Sequence, residues 1–306
     1  MRIDLNSSDN VSMKSPSNSP SVVLFVAAAA WGLYWLPLRE IEAIGLTTTW
    51  SVAFFNACPL VVLVPYVIWN RKTQARHLRA VVVIGLLTGL GLSFYASGLV
   101  FSSVIRVTLL FYLTPVWSTI IGVVWLSEKL RPGRIAAIIL GLGGLWLLFA
   151  TNDNLAQPLN IGDLMGLLSG IFWGFGAAGM KKWPEAPTAI TAMGQFIVTS
   201  VFCAFLGLVA FGDALPDMGV FMDALPVAFL ASVLVLLPSL FAIFWASRLV
   251  FPGRVGILMM SEALVAIISA SLLLPEETMT FWQWVGGAII ITACLVEVAA
   301  GDKRAS

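Results

Sequence analysis

RVTLLFYLTPVWSTIIGVVWLSEKL, residues 106–130, and RVGILMMSEALVAIISASLLLPEET, residues 254–278, align without a gap at an offset of 148. In that register Arg106 matches Arg254, Pro115 matches Ala263 and Glu128 matches Glu276. Between the arginine and the acid lies an apolar run of about 20 residues, enough to cross a hydrocarbon core of about 30 Å as a helix. A second pair, WGLYWLPLRE (31–40) and WGFGAAGMKK (173–182), aligns at an offset of 142, and the six extra residues fit in loops. The chain reads as two copies of one helical unit.

The remaining sequence extends this reading. Of 306 residues, 59% are hydrophobic and 11% charged, and mean hydropathy is +0.95. A soluble domain carries roughly 25% charged residues. So few charges cannot cover a water-facing surface, and lipid must face part of it. Apolar runs near 22–38, 50–69, 80–101, 106–126, 134–150, 162–180, 189–211, 225–247, 254–274 and 281–299 predict ten transmembrane helices. Helices satisfy their own backbone groups, as hydrocarbon requires. Residues 21–150 and 151–300 then form two five-helix repeats, all-α and membrane-embedded. The polar Ser/Pro/Asn-rich segment 1–20 reads as a disordered cytoplasmic tail rather than a secretory signal, and 301–306 as a C-terminal cytoplasmic tail.

Lys and Arg set the orientation. With the N-terminus inside, the inner segments hold fifteen of them: Arg2, Lys14, Arg71, Lys72, Arg76, Arg79, Lys129, Arg131, Arg134, Lys181, Lys182, Arg248, Arg254, Lys303 and Arg304. The outer side keeps Arg39 and Arg106 and is otherwise acidic, with Asp153, Asp213, Asp217, Asp223, Glu276 and Glu277. Five spans per half is an odd number, so the halves enter the membrane in opposite senses. Such inverted repeats are associated with alternating access around a site at the repeat interface.

Two stretches, FYLTPVWSTIIGVVWLSEKLRPGRIAAIILGLGGLWLL (111–148) and LMMSEALVAIISASLLLPEETMTFWQWVGGAIIITACLVEV (258–298), resemble the drug/metabolite transporter superfamily, EamA type. The resemblance covers about residues 22–299. That family usually ends these helices in Gly-Glu. Here the pairs are Ser127-Glu128 and Pro275-Glu276, and Ala263 replaces the second proline. The resemblance implies a ten-helix secondary transporter of small metabolites, often an exporter, in the inner (cytoplasmic) membrane.

Glu262 is the first candidate for chemistry. It lies about eight residues past Arg254, near mid-membrane at 1.5 Å per residue. A carboxylate there is costly against lipid and should face the bundle interior or a wet cavity. Its stripe of Glu262, Ala266 and Ser269 is small and polar. Such a group could exchange a proton as access alternates, pair with a cationic substrate, or serve as a hydrogen-bonded structural acid. Tyr95 and Tyr112 lie on polar, small-residue stripes of the third and fourth helices (Thr88, Gly91, Tyr95, Gly98, Ser102; Thr108, Tyr112, Pro115, Thr119, Gly122) that either pack closely or line a cavity. Pro115 removes a backbone hydrogen bond and is a hinge candidate. Trp31, Tyr34, Trp173 and Trp245 fit either an interfacial belt or an aromatic wall for apolar or cationic groups. Asn56 and Gln195 are either substrate ligands or helix-to-helix hydrogen bonds, and the glycines at 85/89, 166/170 and 170/174 are close-packing sites.

The expected partners are a small-molecule substrate (amino-acid-like or amine), membrane lipid, and protons as coupling ion. The sequence contains no phosphate loop, no cofactor motif and nothing that reads as nucleic-acid binding. His77 is the single histidine, in a basic loop, and Cys58, Cys203 and Cys294 lie in apolar runs, so no metal site is expected. Oligomeric state stays open. An intramembrane group-transfer enzyme would need a His or paired-acid cluster, which the helices do not offer, and a passive channel remains the third class. Single cysteines placed in 71–79 and at 181–182 should label from the same side of the membrane. Labelling from opposite sides would break the inverted repeat.

Overall fold

A computed structural model describes residues 19–46, 48–74, 76–102, 104–149, 158–209, 215–273 and 280–302. The tail 1–20 up to residue 18, Arg2, Lys14, Asp153, Asp213, Pro275, Glu276, Glu277, Lys303 and Arg304 lie outside the described residues. Among the described residues, ten apolar helices form the bundle: α1 (Pro20–Ile44), α2 (Thr49–Trp69), α3 (Leu78–Phe101), α4 (Arg106–Leu126), the shorter α5 (Pro132–Leu148), α6 (Ile161–Lys182), α7 (Thr188–Val209), α8 (Met218–Leu249), α9 (Pro252–Leu273) and α10 (Phe281–Val298). All ten predicted spans find a helix. The helix of α10 continues to Asp302, so it takes in the first residues of the expected tail 301–306.

Helix pairing follows a two-fold pattern. The most extensive contacts are α3 with α6, α5 with α10, α4 with α6, α3 with α7, α2 with α7, and α4 with α9, while α1 packs on α8 and α9. Exchanging the halves maps α5·α10, α2·α7 and α4·α9 onto themselves and α3·α6 onto α8·α1. These are two inverted five-helix repeats. Where helices must approach closest, glycine supplies the room: a methyl on Gly91 would sit 3.2 Å from the Trp173 nitrogen, and one on Gly170 2.7 Å from the Phe111 carbonyl oxygen. The third-helix stripe and the glycines at 85, 89, 166, 170 and 174 are therefore mostly packing surfaces. Large apolar side chains such as Ile68, Val124, Ile139, Val201, Leu234 and Leu295 cover the outside, where lipid belongs.

Five helices are interrupted. α1 breaks between Trp31 and Trp35, α2 between Ala57 and Leu60, α4 between Phe111 and Thr114, and α9 between Met259 and Ser261. α8 passes through a π segment, Ser232–Leu236. Proline accounts for four of these, because it cannot donate to the carbonyl four residues back. Pro37 leaves Leu33 without its usual partner, and the Leu33 carbonyl accepts from Leu36 instead. Pro59 sits within the α2 break itself, and Pro238 stands two residues past the π segment. Pro115 frees the Phe111 carbonyl, which the Thr114 hydroxyl takes up. α9 has no proline at its break, yet Met259 falls at the position matching Phe111 in the repeat register.

Buried charge lies near the ends of the helices. Arg106 pairs with Asp163, which also accepts from Ser102 at 2.8 Å. At the opposite, Lys/Arg-rich face Arg134 pairs with Glu128 and with Glu297 at 3.2 Å. Because Arg106 is 5% exposed and paired, Arg39 is the exposed cation on the acidic face among the described residues, so the charge bias is sharper than the sequence count. Gly286→Val places side-chain atoms against the Gly144 carbonyl and the Leu148 nitrogen. It should separate α5 from α10 and destabilise the protein by about 1–3 kcal/mol, read as a lower thermal midpoint of the detergent-purified protein.

Candidate functional site

The two interrupted helices α4 and α9 cross where their breaks coincide, and α1 closes on them from one side. A methyl on Gly256 of α9 would fall 2.8 Å from Pro115 Cα, so Pro115 is a packing point as well as the start of the second half of α4. Gly32, at the α1 break, lies directly against the backbone carbonyl of Glu262 and within 3.1 Å of the Ala266 nitrogen if extended by a methyl. The Ser261 hydroxyl donates to the Phe25 carbonyl at 2.9 Å, and Trp35 donates to the Ser269 hydroxyl at 3.0 Å. The stripe Glu262, Ala266 and Ser269 thus faces α1, as its small polar character predicts.

Glu262 occupies the first turn of the second half of α9, just past the break. It is half-buried. The hydroxyls of Tyr34, Tyr95 and Tyr112 all lie within electrostatic reach of that carboxyl. Tyr112 meets the backbone of Ala263. Tyr95 shares a hydrogen bond of 3.2 Å with Thr108. Tyr34 accepts from Asn56 at 3.1 Å and stacks on Trp31, with rings 5.8 Å apart and 3° from parallel. Phe55 meets the edge of Tyr34 at 5.2 Å, and Phe111 packs on Tyr95 at 4.8 Å. No Arg or Lys pairs with Glu262 among the described residues, in contrast to Glu128, Asp163 and Glu297. Asp163 and Glu297 are more fully buried than Glu262, each 3% exposed, but each is held near a helix end by arginine.

An apolar cavity of about 210 Å³ runs from the side of the bundle, beside Leu33 and Val235, in to Trp31, Tyr34, Phe55 and Ser239. Tyr34 lines this cavity and also lies within electrostatic reach of Glu262. Trp173 approaches from α6, buried, and donates to Met259 at 3.1 Å, so it touches the α9 break from within the same repeat. Two expected members do not join. Trp245 is 43% exposed on the outside of the bundle, because the turn of α8 that carries it presents Phe244 and Ala246 inward. Gln195 is fully buried in α7, where its backbone carbonyl lies against Gly89 of α3, away from the tyrosines. Gly32, Phe55 and Ser261 are the members the sequence reading missed. Gly32 and Pro37 in WGLYWLP were the available signal, a glycine at a proline-broken turn.

Among the described residues, no group of His, Cys, Asp and Glu is arranged to hold a metal ion. What the cluster offers is one acid, three phenols, an amide and a stacked aromatic pair. These can bind a cation or an amine, donate to a polar group, and hold a proton.

Comparison with known proteins agrees with this architecture. The EamA-like transporter family matches residues 19–150 and 160–298, so the chain belongs to that family, in keeping with its set of membrane-length helices. It is 27% identical over 148 residues to the uncharacterized transporter YoaV of Bacillus subtilis (strain 168). That match spans 47% of this chain and 51% of YoaV, about half of each. A crystal structure of another protein superposes with a TM-score of 0.72 at 17% identity, covering 91% of this chain and 96% of that one, which bears on the fold alone.

Tyr34→Phe removes the acceptor for Asn56 in a buried setting and should cost about 1 kcal/mol. Trp245→Ala, on the outer surface, should stay within about 0.5 kcal/mol. Thermal unfolding of the two variants side by side checks the ordering.

Proposed function

We propose that this EamA-family transporter carries an amine or amino-acid-like metabolite by alternating access, outward across a cytoplasmic membrane, with both termini in the cytoplasm and protons as the coupling ion. One observation carries the reading: a carboxylate without a basic partner stands among three tyrosines at the helix breaks where the repeats meet. A charge left unpaired at this depth is unfavourable unless something compensates it. A substrate ammonium or a proton supplies that compensation, and the two compete for the same oxygens. That competition is exchange: proton entry from one side releases the cation, and cation entry releases the proton.

The surrounding groups fit the same cargo. Trp31 and Tyr34 offer a flat stacked face, which attracts cations and apolar groups alike. Asn56 and the tyrosine hydroxyls can meet a carboxylate or hydroxyl on the substrate. The breaks of α1, α4 and α9 converge here, so a change of tilt in either repeat is transmitted to the site at once. Gly32 allows α1 to lie against Glu262, which couples the opening of the first repeat to the state of that acid. The positive-inside distribution of Lys and Arg supports the orientation. A group-transfer enzyme is not favoured, because the only acid at the site has no second acid or histidine beside it among the described residues.

Glu262→Gln in proteoliposomes should lower proton-coupled flux of amines at least roughly tenfold, the scale of losing a charge-assisted hydrogen bond, with expression and thermal midpoint retained. Wild-type coupling in that variant would remove Glu262 from the mechanism.

A further inference from the structure

A second cavity, of about 400 Å³, lies at the Lys/Arg-rich face between the ends of α4, α5, α8, α9 and α10, far along the helices from Glu262. Its walls carry Lys129, Arg131, Arg134 and Arg254 against Glu128 and Glu297, a surplus of two positive charges. Both acids are already bound by Arg134. Arg254 gives one donor to the Val298 carbonyl at 3.2 Å. Lys129 is exposed and Arg131 half-buried at the rim.

Two helices begin at this cavity. Arg131, in its wall, precedes Pro132 at the start of α5, and Phe251, also in its wall, precedes Pro252 at the start of α9. Each helix start carries partial positive charge from its aligned peptide dipoles and adds to the field of the side chains. Apart from Ser127 the remaining wall is apolar: Leu126, Leu249, Val250 and Phe251, with Leu249 and Phe251 exposed on the bundle surface. A basic cavity with an apolar rim at the height of a membrane surface suits a ligand with an anionic head and greasy tails.

We propose that this cavity binds a phosphate group, and that an anionic phospholipid headgroup is the source its apolar rim favours. The phosphate enters between Lys129, Arg131 and Arg254, while the acyl chains leave past Leu249 and Phe251. Arg134 with its two acids forms the floor and fixes α5 and α10 behind it. The site is separate from Glu262 and does not rest on the transport reading, because occupancy is measured without flux.

The test compares the full-length protein in nanodiscs of phosphatidylcholine with and without phosphatidylglycerol, and in neutral detergent with inorganic phosphate. Thermal midpoint and lipid retained in native mass spectrometry are the readouts. Phosphatidylglycerol should raise the midpoint and remain bound. Lys129→Ala with Arg131→Ala, both outside the packed interior, should weaken that binding roughly tenfold or more. Arg71→Ala with Lys72→Ala, on the same face and exposed, should leave it intact. Stabilisation by inorganic phosphate equal to that by lipid would keep the phosphate site and assign it to a soluble ligand. Equal losses in both double variants, or no effect of lipid and phosphate on the wild type, would overturn the site.

Discussion

Hydrocarbon offers the backbone no partners, and that single constraint organises this molecule. Every peptide N–H and C=O in the membrane must be satisfied by the chain itself. A helix achieves this automatically. An interrupted helix does not, so interruptions survive only where other protein atoms can take over. The Phe111 carbonyl, released by Pro115, is taken by the Thr114 hydroxyl, and the Leu33 carbonyl, released by Pro37, by the Leu36 nitrogen. These repairs occur at the crossing of α1, α4 and α9, where the surroundings are protein. The breaks and the candidate site coincide for this reason, since the backbone can be irregular only where lipid is excluded.

The same constraint sorts the charges. Arg106 with Asp163 and Arg134 with Glu128 and Glu297 are buried but mutually compensated, and they stand near the helix ends. Removing one partner of such a cluster typically costs 3–5 kcal/mol, although the intact cluster adds little to stability. These ion pairs fix which helices meet at each face. Glu262 is different in kind. Its neighbours are phenols, and no Arg or Lys pairs with it among the described residues.

Inverted symmetry explains the frame of the site but not its chemistry. The α4 and α9 breaks fall at matching positions, yet Pro115 corresponds to Ala263 and Thr114 to Glu262. In α4 a proline opens the helix and a threonine closes the gap internally. In α9 the break persists without proline, held by the Ser261–Phe25 and Trp173–Met259 contacts from neighbouring helices. Two copies of one scaffold thus place a self-contained break opposite one that carries an acid. The stacked Trp31–Tyr34 pair, on the α1 break, likewise has no counterpart in the unbroken α6.

The sequence alone determined the helix count, the inverted repeat, the charge asymmetry and the prominence of Glu262. Those follow from lengths, periodicity and the energetic penalty of charge in lipid, which act locally along the chain. It left open whether each polar stripe packs or lines a cavity, because one helical face looks the same in either case. Tertiary structure decided that Thr88, Gly91 and Gly98 pack against α6 while Tyr95 shares a hydrogen bond with Thr108 and packs on Phe111. It also set Trp245 outside, Gln195 between helices, and Arg134 between two acids distant in sequence. Which neighbour a side chain meets depends on the rotation and crossing of helices, and that is fixed only when all ten pack together.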